Sequence, residues 1–133
     1  MKKRLAIWSI VLSLMSTPLL YIIYYAKFRP WFVQREVLGH SLVSLTHLPF
    51  DLLIIEYHRA WTYSLTPDQR ADVEKHCLKP EHFVGRERED IERDLESRRC
   101  TIVAPIVKDG RYISIEIVGD HLIVSESYRN VTN

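Results

Sequence analysis

The sequence predicts an α+β chain: a single N-terminal transmembrane helix, then a small domain with a four-stranded antiparallel sheet and two or three helices. Three observations carry this. Lys2, Lys3 and Arg4 precede an uncharged run from Leu5 to Ala26. Thr66-Pro67-Asp68-Gln69 is a helix start, with a second, highly charged helical stretch after it. Asp109-Gly110 and Gly119-Asp120 then divide the C-terminal part into three short segments, a β-meander. Of 133 residues, 47% are hydrophobic and 26% charged, a globular composition. About 100 residues beyond the anchor make one modest domain. The organisation expected is an anchor over residues 1–30, a connecting amphipathic segment over 31–50 and the α+β domain over 51–133.

Crossing the hydrocarbon core takes roughly 20 apolar residues at helical rise, and Leu5 to Ala26 supplies them. Tyr21, Tyr24 and Tyr25 fall near its end, where amphipathic rings favour the headgroups, and Lys27 and Arg29 follow. Pro18 would kink this helix, which a membrane tolerates better than water does. A cleaved signal peptide is the rival reading, but Ser13-Leu14-Met15-Ser16 would leave an awkward apolar end, and Tyr24 spoils a site at Ala26. The lipid bilayer is therefore the partner expected for residues 5–26. Lys2, Lys3 and Arg4 nearly balance Lys27, Arg29 and Arg35, so flank charge does not fix the orientation. The short basic tail resembles a signal-anchor, which puts the C-terminal domain outside the cytoplasm, periplasmic or extracellular.

From Lys27 to Phe50, Trp31, Phe32, Val37, Leu38, Leu42 and Leu45 recur at three- and four-residue steps, predicting an amphipathic helix that packs on the domain. From Leu53 to Leu65 the chain alternates as a half-buried strand. Leu53, Ile55, Tyr57, Arg59, Trp61, Tyr63 and Leu65 take one face, and Ile54, Glu56, His58, Ala60, Thr62 and Ser64 the other. Thr66 caps the next helix, Pro67 suits its first position and Gln69 completes a capping box; Pro80 bounds it after Leu78. Gly85 to Arg99 reads as a solvated helix with a narrow apolar stripe, Ile91 and Leu95. Glu89 with Arg93, and Asp94 with Arg98, are its favourable four-residue pairs. The meander comprises Thr101 to Val107, Arg111 to Val118 and Leu122 to Tyr128. Ile113, Ile115 and Ile117 face the core, and Pro105 marks the first of these strands as a sheet edge.

Cys77 and Cys100 are the only cysteines. Two cysteines alone in an exported domain are expected to pair, pinning a helix end to a strand start and stabilising the fold by about 3 kcal/mol. Two buried thiols in a cytoplasmic domain are the alternative, so pairing and topology are linked. His76, Cys77 and His82 match no common zinc spacing, and no metal or cofactor is expected.

The composition narrows the function. Net charge is +1, from 18 basic and 17 acidic side chains that interleave, and this disfavours nucleic acid. With 4 glycines and no glycine-rich run there is no phosphate-cradling loop. Glu56 and His58 share a strand face as a possible acid–base pair, against the blander reading of two solvated side chains. His40 and His47 would align on a helix, where a core or surface role is the better reading. Tyr57, Trp61 and Tyr63 are candidates for an aromatic recognition surface, and Arg86 and Arg93 for a charged one on the 85–99 helix. Core packing and a solvated face are their structural alternatives. The expected function is a membrane-anchored, non-enzymatic protein-binding domain, of which a toxin-neutralising immunity protein is one case by analogy of architecture. A single-pass subunit of an envelope or secretion complex is the second reading, with Ser9, Ser13, Ser16 and Thr17 permitting close helix packing. A small enzyme is the third.

Overall fold

One run of helix carries the chain from its apolar N-terminus into the domain. In the computed structural model, which describes residues 2–55, 57–79, 87–103 and 110–129, helix α1 spans Lys2–Ile23 and helix α2 spans Arg29–Leu38. A π-helical turn, Tyr24–Phe28, joins them without a break. Nothing in α1 is buried, and the helix is long and apolar enough to cross a membrane. The Ser16 and Thr17 hydroxyls donate to the Ser13 carbonyl at 3.1 and 2.8 Å, so they are satisfied within their own helix next to Pro18.

The π turn has a local cause. Pro30 has no N–H, and in a regular α-helix its ring would clash with the carbonyl of Ala26. Widening the preceding turn relieves this, and the Arg29 N–H reaches back to the Tyr24 carbonyl. Beyond it, Pro30, Val33, Gln34 and Leu38 repeat at helical spacing and form the buried face of α2. Gly39, at φ 74°, ends the helix in the left-handed conformation, its N–H bonded to the Arg35 carbonyl. The amphipathic helix expected to reach Leu45 therefore stops at Leu38, and His40 and His47 lie in the loop beyond it.

Five strands form one antiparallel sheet: β1 (Asp51–Ile55), β2 (His58–Ser64), β3 (Arg99–Val103), β4 (Arg111–Val118) and β5 (His121–Tyr128), in the spatial order β1-β2-β5-β4-β3. The α+β class holds and the strand count rises from four to five, because Leu53 to Leu65 is a hairpin and not one strand. Tyr57 lies between its arms at φ 64°. Folding back puts Leu52 opposite Trp61 and Ile55 opposite His58. Leu53 and Ile55, expected beside Trp61 on the core face, thus move to the other face and are exposed, and Tyr57 is exposed at the turn.

The helix-facing side of the sheet forms the core in cross-strand rows. Trp61, Val124, Ile115 and Ile102 make one row, and Tyr63, Leu122, Ile117 and Cys100 the next. Val33, Leu38 and Val43, from the stretch expected to connect anchor and domain, pack into the same core. The opposite face, with Ala60, Ser114, Ser125 and Ser127, is only partly buried, the two-sided pattern typical of antiparallel sheets. As the meander predicts, Ile113, Ile115 and Ile117 face inward and β3 is a sheet edge. Pro105 and Asp109 lie outside the described residues.

Helix α3 spans Pro67–Cys77 and helix α4 spans Arg88–Glu96. The capping box forms as read: the Gln69 N–H donates to the Thr66 hydroxyl at 3.3 Å, and the Thr66 N–H to Gln69 Oε1 at 3.0 Å. Thr66→Ala is expected to cost about 1 kcal/mol, measurable as a lower thermal midpoint of the full chain in detergent; no change would mean that α3 is held by the disulfide alone. On α4, Ile91 is buried and Leu95 packs beside it, and ion pairs join Arg88 to Glu92 and Arg93 to Asp90. Cys77 and Cys100 form the disulfide, joining the end of α3 to the start of β3, with Cα atoms 6.3 Å apart.

Candidate functional site

Where the helix meets the sheet, the inward alternation of three strands runs from apolar into charged residues. One step beyond Trp61 is Arg59, beyond Val124 is Glu126, and beyond Ile113 is Arg111. Glu126 has no exposed surface. Arg29, from the first turn of α2, makes a two-pronged contact with it: Nε donates to Oε2 at 3.1 Å and Nη2 donates to Oε1. Arg111 Nη1 and the Tyr128 hydroxyl also donate to Oε1, each at 3.1 Å, and Arg59 Nη1 lies 3.6 Å from Oε2. Arg111 in turn donates to Glu36 on α2.

Burial alone would push the Glu126 carboxyl up. The hydrogen bonds and charge of Arg29, helped by Tyr128 and Arg111, outweigh it and hold the group below its usual range. The same contact raises Arg29, and the hydrogen bond to Glu36 raises Arg111. One buried carboxylate thus ties β5 to α2, with β4 and β2 drawn in by their arginines.

A second tie follows from Pro30. The Arg29 N–H is committed to Tyr24 and Pro30 has none, so the Tyr25 carbonyl lacks the helical donor it would otherwise have. The Trp61 indole N–H fills this place at 2.8 Å. Arg59 lies with its guanidinium carbon 4.7 Å from the centre of the Tyr25 ring, a cation–π contact. The N-terminal helix and the sheet are therefore joined by built contacts at three successive places: Tyr25, Arg29 and Glu36.

At the other end of α2 a broad groove of about 590 Å³ opens, lined among others by Trp31, Arg35, His40, Leu42 and His47. Its loop wall is held by Gln34, fully buried, whose Oε1 accepts from the Leu42 N–H at 2.9 Å and the Ser41 hydroxyl at 3.2 Å. His40 Nε2 lies 3.0 Å from His76 Nδ1, and His47 is hydrogen bonded to Gln69, so the loop is fastened to α3 at both ends. Arg35 stacks on Trp31 at 4.7 Å. A cation, an indole and imidazoles around an open groove suit the contact of a protein surface better than the enclosure of a small molecule.

The sequence candidates fall in different places. Trp61 and Tyr63 are buried, so their surface goes into core packing; burial also pushes the Tyr63 phenol up. Tyr57 is exposed at the hairpin turn, and Arg93 is exposed on α4, paired with Asp90. These two are not brought together. Arg86, His82 and Glu56 lie outside the described residues, so the Glu56–His58 pair does too. Cys77 is committed to the disulfide, which removes it as a metal ligand. Among the described residues, no three His, Cys, Asp or Glu side chains gather to hold a metal ion. Sequence reading missed Arg29, Gln34, Arg59, Arg111 and Glu126 as a set. Their signal was the parity of Arg59, Arg111 and Glu126 with core residues on their own strands. No protein-family model, curated protein or solved structure matches the chain.

Proposed function

We propose that the chain is a single-pass, membrane-anchored binding protein whose α+β domain engages a protein partner outside the cytoplasm. The observation that carries this reading is the unbroken helix Lys2–Leu38, uncovered along its apolar half and built into the domain core along the other. An anchor on a loose linker would leave the domain free to tumble. Here Glu126, Trp61 and Arg59 fix the domain to the helix, so it presents one face at a set height. The groove's helical wall, Trp31 to Gly39, lies about 8 to 20 Å beyond Ala26 at helical rise, on the domain side of the apolar run. A fixed, outward groove with aromatic and cationic lining fits a partner-binding role, with toxin neutralisation as one case. The disulfide supports an oxidising compartment.

Two measurements on the full chain in its native membrane test this. A reporter active only outside the cytoplasm is fused after Asn133, and free thiols are assayed on the same protein; activity with no free thiol is expected. A silent reporter with two reactive thiols would reverse the placement. A photo-crosslinker at Arg35 is expected to give one discrete protein adduct that the same probe at Thr101, on the far edge strand, does not. Equal labelling from both positions would remove the groove as the binding face.

A further inference from the structure

The sheet has two edges of opposite chemistry. On β3, among the residues whose burial is described, the exposed side chains are Arg99 and Thr101. On β1 they are Leu53 at 48%, Ile54 at 60% and Ile55 at 56% exposure, with Asp51 the one charge within the strand; among the described residues on either side, Leu48, Phe50 and Tyr57 are also exposed, and Glu56 lies outside the described residues. Edge strands in water are normally blunted by charge, proline or a covering element. This apolar edge therefore calls for a cover, and the path of the helix indicates which.

From Leu38 back to Tyr24, α2 and the π turn meet the strands in order. Glu36 binds Arg111 on β4, Arg29 binds Glu126 on β5, and Tyr25 meets Arg59 and Trp61 on β2. The next strand outward is β1. From Glu36 to Arg29 the helix rises about 10 Å and from Arg29 to Tyr25 about 6 Å, against about 4.8 Å between neighbouring strands, so one strand is passed for every four to seven residues. On that scale β1 lies four to seven residues before Tyr25, level with the stretch from Pro18 to Tyr21 at the end of the apolar run.

We propose that β1 is the membrane-facing edge of the sheet, lying along the lipid surface with Ile54, Ile55 and Tyr57 in the boundary between headgroups and acyl chains. This rests on the reading of α1 as a retained span. Unpaired strand N–H and C=O groups are not tolerated in hydrocarbon, so the backbone stays at headgroup depth and only side chains reach further. A hollow of about 140 Å³ between Ile54, Tyr57, Arg59 and Tyr128 opens at the same end and offers a guanidinium beside apolar walls, suited to a lipid phosphate and its first methylenes.

The test uses the full chain in phosphatidylcholine–phosphatidylglycerol vesicles. Both native cysteines are in the disulfide, so one added cysteine carries an environment-sensitive fluorophore at Ile54, Ile55, Thr101 or Leu12. A shallow lipid-borne quencher is expected to remove most of the emission at Ile54 and Ile55, with iodide effective only at Thr101. Leu12 reports the span: quenching there by lipid but not iodide keeps α1 in the bilayer. With Leu12 in lipid, iodide quenching at both Ile54 and Ile55 would overturn the proposal while the span stands. Shielding of both from either quencher would also overturn it, with a protein surface covering the edge. Iodide quenching at Leu12 would overturn the span and this inference with it.

Discussion

Glu126→Ala is expected to be the most damaging single change in the domain, costing about 3–5 kcal/mol. The magnitude comes from what remains. Arg29, Arg59 and Arg111 converge on one carboxylate that has no contact with water, and its removal leaves three guanidinium groups facing one another in a partly buried space. Breaking a buried pair from one side costs far more than the pair contributes net, because the remaining charge loses solvent and partner together. Denaturant unfolding of the full chain in detergent, read by the fluorescence of Trp61 with Trp8 and Trp31 replaced by Phe, would measure it. A loss below about 1 kcal/mol would mean that the network behaves as an exposed one. Acid gives an independent check. The Glu126 pKa in the fold lies below its ordinary value of 4.5, so its stabilising contribution is fully present above that pH and is lost as pH falls through the lower, folded value. Wild-type stability should therefore drop below about pH 4.5, and Glu126→Gln, which keeps the shape but not the charge, should flatten that drop.

How far this was legible in the sequence depended on whether a signal was local. Thr66, Pro67 and Gln69 specify a helix start through atoms within four residues, and the capping box forms as read. Ile113, Ile115 and Ile117 declare a strand by their own alternation, and Gly119 supplies the left-handed turn that follows it. Cys77 and Cys100, with no third cysteine, leave only one possible pairing, and the fold brings their Cα atoms to 6.3 Å. The hairpin at Tyr57 was hidden for the opposite reason. Its turn has no glycine or Asn-Gly, and apolar residues continue on both sides of it, so the alternation of Leu53, Ile55 and Tyr57 ran through a reversal of the chain.

The charge network was concealed differently. Glu126 sits two residues from Val124 and Arg59 two from Trp61, so each strand sends a charge onto its core-facing side. Seen on one strand, such a residue reads as the frayed, solvated end of an alternation. Only the register that sets Arg59 opposite Glu126, and the helix that brings Arg29 between them, turns two frayed ends into a buried junction. The same register moved Trp61 from a candidate recognition surface to the tie between Tyr25 and the sheet.

Removing the disulfide is expected to have the second largest effect. The bond closes a loop of 23 residues, and constraining such a loop in the unfolded chain stabilises the fold by about 3 kcal/mol. The double variant Cys77→Ser with Cys100→Ser, which leaves no stray thiol, should lower the thermal midpoint by roughly 10–20 °C. Helix α3 is the element most exposed to this loss, since it buries only Arg70, Val73 and Cys77. The damage should spread to the groove, because His76 and Gln69 on α3 hold the loop that carries His40 and His47. A reductant should lower the wild-type midpoint and leave the double variant unchanged; an equal effect on both would assign the loss to something other than this bond. If the midpoint fell but the Arg35 crosslink persisted, the groove would be a surface that α2 and Gln34 hold without α3. If both were lost, binding would depend on the oxidised state, and a partner could be engaged only where the compartment keeps that bond closed.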